Sequence, residues 1–195
     1  MNVNDEIKEL LNKVDRIRGS KLIKDLDKLG YFTCPASTNK HNCFEGGLAL
    51  HSYNVYTTLC KFNEVFKLDL DEDFIIITSL LHDVCKLGVY KPNILKNGKI
   101  SDTKPYKYED LCPLGHGEKS VIFLSYYLKL TTAEALAIRW HIGPFTHDTI
   151  QGWNFEKTGL QKTPYYKEIM AVYHADSFAS CMIEDCGAKG VYHNT

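Results

Sequence analysis

Apolar residues recur at three- and four-residue steps along most of this chain, a spacing that commits it to helices. Ile7, Leu10, Leu11, Val14 and Ile17 form a first stripe, with Asn4 placed to cap it and Arg18-Gly19 to break it. Ser20 is placed to cap a second helix carrying Leu22, Ile23, Leu26 and Leu29, with Gly30 at its end. A third begins near Gly46, with Leu48, Val55, Leu59, Phe62 and Phe66 on one face, and a fourth runs from about Asp73 to Leu87. A fifth starts near Gly117 with Val121, Leu124 and Leu128 inward. Thr131 and Glu134 have capping-box spacing for a sixth, which ends at Gly143-Pro144. Thr163-Pro164 opens a last long helix over about Tyr165–Glu184. The pattern predicts an all-α bundle.

The segments between these helices are informative as well. Tyr31 to Glu45 reads as irregular, and Gly187–Thr195 as a loose tail. Residues 88–115 read as a long loop with Pro92, Pro105 and Pro113, in which Asn97-Gly98 is placed to close a small hairpin. Loops of that length in compact domains are often functional. With 195 residues, 44% of them hydrophobic, one domain over 1–195 is expected, its core at about 30–185 behind N-terminal helices at 4–29. Balanced charge (23 basic and 24 acidic residues, net -1) argues against a whole-surface grip on nucleic acid. No stretch is long and apolar enough for a bilayer, and the N-terminus has no signal-peptide pattern. Seven cysteines without a C-x-x-C pair read as reduced thiols, so a cytoplasmic protein away from membranes is expected.

Polar residues sit where the stripes predict burial. His51 follows Leu48 by three residues and precedes Val55 by four, which puts it on an apolar face. Asp176 lies seven residues after Ile169 and seven before Ile183. His82 and Asp83 are adjacent near the end of an apolar helix, His116 lies between two glycines before a helix, and His141 closes another. A lone histidine on an apolar face is more often a hydrogen-bonded core residue than a ligand. Six such groups together need a common reason, because a buried carboxylate without partners costs several kcal/mol. One or two divalent metal ions supply it. Imidazole and carboxylate ligands suit iron, manganese, zinc or nickel better than calcium, and magnesium is also admitted. His41, His147 and His193 fit no helical face and read as surface residues.

Glu45-Gly-Gly-Leu-Ala-Leu-His51, then Leu80-Leu-His82-Asp83-Val-Cys-Lys86, then His116, His141 and His174-Ala-Asp176 together resemble the HD superfamily of metal-dependent phosphohydrolases. The resemblance covers about residues 30 to 185. Its opening and closing motifs look similar to the branch that contains bacterial 3′-to-5′ exoribonucleases, with Cys85 where relatives often have Gly. It implies that His51, His82, Asp83 and Asp176 hold one metal, and that Asp83, His116 and His141 hold a second, with Asp83 bridging. It also implies hydrolysis of a phosphoester by metal-activated water.

Asp83 and Lys86 are then the expected catalytic pair. Lys86, three residues after Asp83, could offset phosphoryl charge or serve only as a helix C-terminal cation. Lys119 and Arg139 are further candidate phosphate contacts, and Tyr106 and Tyr108 could stack on a base. The expected substrate is a small phosphoester or nucleotide, with a short single-stranded nucleic acid as the nearest variant. Two other classes fit the same ligand set: a di-iron oxygenase of the same superfamily, and a regulatory module that keeps its metal for folding or sensing.

Overall fold

The computed structural model describes residues 2–143 and 159–184. The positions expected for His147, His193, Pro144 and the tail Gly187–Thr195 lie outside these. The helices are α1 (Val3–Lys13), α2 (Leu22–Lys28), α3 (Gly47–Phe66), α4 (Glu72–Leu81), α5 (His116–Ser125), α6 (Thr132–Trp140) and α7 (Tyr166–Phe178). They form an all-α bundle. Within the long 88–115 segment, β1 (Tyr90–Pro92) and β2 (Tyr106–Tyr108) pair antiparallel. An Ile94–Ile100 bridge and a turn through Gly98, at φ +78°, close the exposed tip of the hairpin, where the Asn-Gly pair predicts it.

At the centre lies α4, with every residue from Phe74 to Leu81 buried. A helix apolar all round belongs inside a bundle. Thr78 and Ser79 do not interrupt it, because their hydroxyls donate to the carbonyls of Phe74 and Ile75 one turn back. One apolar cluster gathers α1, α2, Tyr31, Leu48, α4 and Leu124; a second joins Val55 and Leu59 of α3 to Val172 and Ala175 of α7. The Thr131–Glu134 capping box is present in full, and Glu134 also holds Arg16 in a two-pronged ion pair (3.0 and 2.7 Å).

Several boundaries differ from expectation. Asn2, not Asn4, caps α1, because its side chain accepts from the Asn4 N–H. Val14 and Ile17 are buried but lie in the turn after that helix. Ser20 accepts from the Leu22 N–H, one position outside the helix it was expected to cap. Tyr165, not Thr163, stands at the start of α7. Phe66, the last residue of α3, is 66% exposed, with its ring against Phe62. The α4 helix stops at Leu81, and a 3-10 turn over Val84–Lys86 follows. The last helix is not uniform either: after Phe178 it widens into a π-turn over Ala179–Ile183. The extra residue in that turn rotates the chain, so Ile183 is 50% exposed and Glu184 is buried.

Candidate metal centre

Three helices end at one place. His82 and His141 occupy the C-terminal cap positions of α4 and α6, and Asp176 lies in the last turn of α7. His51 enters from the first turns of α3, and His116 is the first residue of α5. The C-terminal ends of helices carry partial negative charge, which favours a cation between them. Two glycines allow the approach. A Cβ on Gly47 would run into the Asn42 carbonyl of the 36–42 loop, and one on Gly117 into the Arg139 carbonyl of α6. The second contact brings His116 beside His141, with ring centroids 5.5 Å apart.

Ending a helix on histidine also fixes the ring. His82 Nδ1 lies 2.8 Å from the Ser79 carbonyl, and His141 Nδ1 lies 2.6 Å from the Ile138 carbonyl. A carbonyl only accepts, so Nδ1 carries the proton and the Nε2 lone pair points inward. His51 Nδ1 likewise donates to Glu184 (3.0 Å). The Nε2 atoms of His51 and His82 then face each other at 3.2 Å. Asp83 stands between the groups. Its Oδ2 lies 3.6 Å from His51, 3.3 Å from His82 and 2.6 Å from the Lys86 Nζ; its Oδ1 lies 2.6 Å from His116 and 3.3 Å from His141. Asp176 lies 3.1 Å from His51 Nε2.

These groups fit a divalent cation. Ligand atoms of His51, His82 and Asp176 lie within 4.8 Å of one another, as do those of His82, Asp83 and His141. Buried Nε2 lone pairs face carboxylates, and His141 Nε2 has no hydrogen-bond partner. A positive ion satisfies all of them at once. Without one, protons serve. Burial pulls His51 down, but its hydrogen bonds to Asp176 and Glu184 outweigh this and raise it to about 10. Burial lowers His82 and His116, while at His141 the attraction of the Asp83 carboxylate, 3.3 Å away, overcomes burial and raises it. Burial opposes ionisation of Asp83, yet Lys86 and His82 hold it well below the usual carboxylate range. Cys85 joins Asp83 and His116 in a further cluster. Burial pushes its thiol up to about 12, which keeps it protonated and a poor donor.

All six expected ligands meet here, and Lys86 joins them as a buried side chain. The other expected contacts stand apart. Lys119 pairs with Asp110 and donates to the Tyr108 hydroxyl at 3.2 Å. Arg139 pairs with Glu118 and stacks over Trp140 at 4.3 Å. Neither lines the cavity of about 720 Å³ over the centre, which is walled by Lys40, Lys86, Tyr90, Tyr108 and Tyr173 among others. His41 is not a surface residue: it is half-buried, with its ring 5.0 Å from that of His51, and burial lowers it to about 4. Glu184, whose carboxylate contacts His51, is a residue of the site that periodicity misses. Only the π-turn brings it inward, and a regular helix would have placed Ile183 there.

The HD domain family matches residues 48–181, more than half of the chain, and the chain belongs to that family. Part of the chain is similar to the dihydroneopterin 2′,3′-cyclic phosphate phosphodiesterase of Methanocaldococcus jannaschii, at 39% identity over 56 residues. That stretch is 27% of this chain and 22% of the relative. No solved structure matches. Among the described residues, no helix is long and apolar enough to cross a membrane.

Proposed function

We propose that this protein is a metal-dependent phosphohydrolase that cleaves a phosphoester of a nucleotide-sized molecule. The observation that carries this reading is the division of Asp83, whose two oxygens each face a different pair of histidines. In this reading His51, His82, Asp83 and Asp176 hold one ion, and Asp83, His116 and His141 hold a second. Divalent ions bound there bring the pKa of water toward about 7 and offset charge on phosphoryl oxygens.

The chain's own groups do the rest. Lys86 keeps Asp83 ionised and aligned through its 2.6 Å contact, and it presents positive charge to a phosphoryl group in the cavity. Tyr90 and Tyr108 face each other across the hairpin. The Tyr90 hydroxyl donates to the Ala36 carbonyl (3.4 Å) and the Tyr108 hydroxyl to Asp110 (2.6 Å). With both hydroxyls engaged, the rings are what they offer the cavity, and they suit a flat heterocycle. The relative from M. jannaschii is named for a cyclic phosphate, which supports a small phosphodiester over a polymer. Lys119 and Arg139, already paired with acids, have no part in this reading. We read the chain as one HD domain over 1–195, acting in the cytoplasm.

The test is a panel of nucleoside phosphates, cyclic nucleotides and short oligonucleotides, run with manganese and with chelator, products read by mass. Manganese-dependent release of phosphate or nucleotide, lost in Asp83→Ala, is the expected result. No turnover together with oxygen uptake by the iron-loaded protein would replace this reading with the oxygenase.

A further inference from the structure

We propose that Glu184 is a positioning residue of the metal centre: it takes the Nδ1 proton of His51 and holds the Nε2 lone pair toward Asp176, His82 and Asp83. This rests on the reading of His51 as a metal ligand.

Four observations carry it. The Glu184 side chain is 1% exposed and reaches His51 Nδ1 with both oxygens, at 3.0 and 3.2 Å. Asn54, one turn after His51 on α3, donates to the same carboxylate at 3.0 Å and keeps it from turning away. The other two buried imidazoles, His82 and His141, give Nδ1 to backbone carbonyls at the ends of their own helices. His51 lies inside α3, where the backbone carbonyls are already engaged in the helix, so its orienting acceptor must come from elsewhere in the fold. Lastly, the chain departs from regular helix just before Glu184. The π-turn over Ala179–Ile183 puts a carboxylate where the helical phase would have put Ile183.

A carboxylate on the far nitrogen of a ligating histidine fixes the ring and makes the near nitrogen more basic, and losing one typically costs about 10–100-fold in metal affinity. A helix-end carbonyl gives the same orientation with less charge. Of the three fully buried imidazoles among the described residues, His51 is therefore the strongest donor, and Glu184 is the reason.

The test uses the full chain as wild type, Glu184→Gln, Glu184→Leu, Asn54→Ala and His51→Ala. Zinc affinity is measured by competition with a chromophoric chelator, and folding by melting temperature. Affinity is expected to fall in the order wild type, Gln, Leu, with the Leu variant about 10–100-fold weaker and Asn54→Ala shifted only a few-fold. Gln retains an oxygen acceptor, so partial retention by Gln separates orientation from mere packing. A folded Glu184→Leu protein that binds zinc within twofold of wild type overturns the proposal. Should that variant not fold, nitrogen-15 imidazole spectra of zinc-loaded wild type decide. The proton is expected on His51 Nδ1 with the metal on Nε2, and the reverse overturns the proposal. If His51→Ala binds zinc as tightly as wild type, it is the ligand assignment that fails, and this inference fails with it.

Discussion

The two sides of Asp83 are built differently. On one side, His51 and His82 are sealed, their side chains 1% and 0% exposed, with Nδ1 committed to Glu184 and the Ser79 carbonyl. On the other side, His141 is equally buried at 1%, with Nδ1 on the Ile138 carbonyl, and only His116, 16% exposed like Asp176 across the centre, enters from the first residue of α5, directly after the hairpin segment. An enclosed set of pre-oriented donors favours tight, slowly exchanging binding; an open one favours exchange and contact with substrate. In the reading proposed above, His51 and His82 would hold an ion tightly, and the His116 edge would be where exchange and substrate contact occur.

The harshest way to break this contrast is to remove what both halves share. Asp83→Ala is expected to lose both ions and to lower turnover about 10²–10³-fold, a loss like that of other charge-stabilising groups. It also leaves Lys86 buried without its partner, at a cost of about 3–5 kcal/mol. Metal content by mass spectrometry and a denaturant titration check both effects; one retained ion would show that the halves are independent.

Single-side variants sharpen it. His116→Ala is expected to keep one tightly held ion per chain while activity collapses, whereas His51→Ala loses the tight ion. Equal loss from either variant would erase the distinction.

Chelation probes the sealed side by pH. In the metal-free protein His51 is raised from 6.5 to about 10, so its ion pairs contribute stability that is fully present below pH 6.5 and lost as pH rises through 10. Asp176 and Glu184 are lowered, against the pull of burial, by their hydrogen bonds to His51, so their contribution is lost only toward acid. The melting temperature of chelated protein is therefore expected to drop between pH 6.5 and 10, and that of zinc-loaded protein to drop less. Parallel curves would remove the sealed side from the account.

Two milder changes bound the comparison. Glu134→Ala removes a helix cap and the Arg16 pair far from the centre, and is expected to cost about 1–2 kcal/mol with metal content unchanged. Tyr108→Leu is expected to raise KM a few-fold for substrates with a flat ring, and to leave kcat near wild type.

The helices were legible because their signals are local. The Thr131–Glu134 box forms as its spacing predicts, and the stripe from Ile7 to Ile17 is buried throughout. That the six expected groups would gather was legible in part: His51 and Asp176 lie on apolar stripes, where a polar group announces a burial that needs compensation, and the family resemblance supplied His82, Asp83, His116 and His141 as their companions. The end of α4 was misplaced because continued periodicity from Leu80 to Leu87 does not show that the imidazole of His82 takes the Ser79 carbonyl and the helix stops. His41 was misplaced because nothing in an irregular stretch reveals that Gly47 lets that stretch lie against α3.

The sequence by itself determined an all-α chain, which follows from spacing of residues a few positions apart, and, through its motifs, six of the groups that meet at its centre. Tertiary structure alone decided how they meet. The sharing of Asp83 between two sides depends on helix ends distant in sequence, drawn together at Gly47 and Gly117. The recruitment of Glu184 depends on one extra residue in a turn, a change of phase that packing selects and that spacing along the chain does not encode.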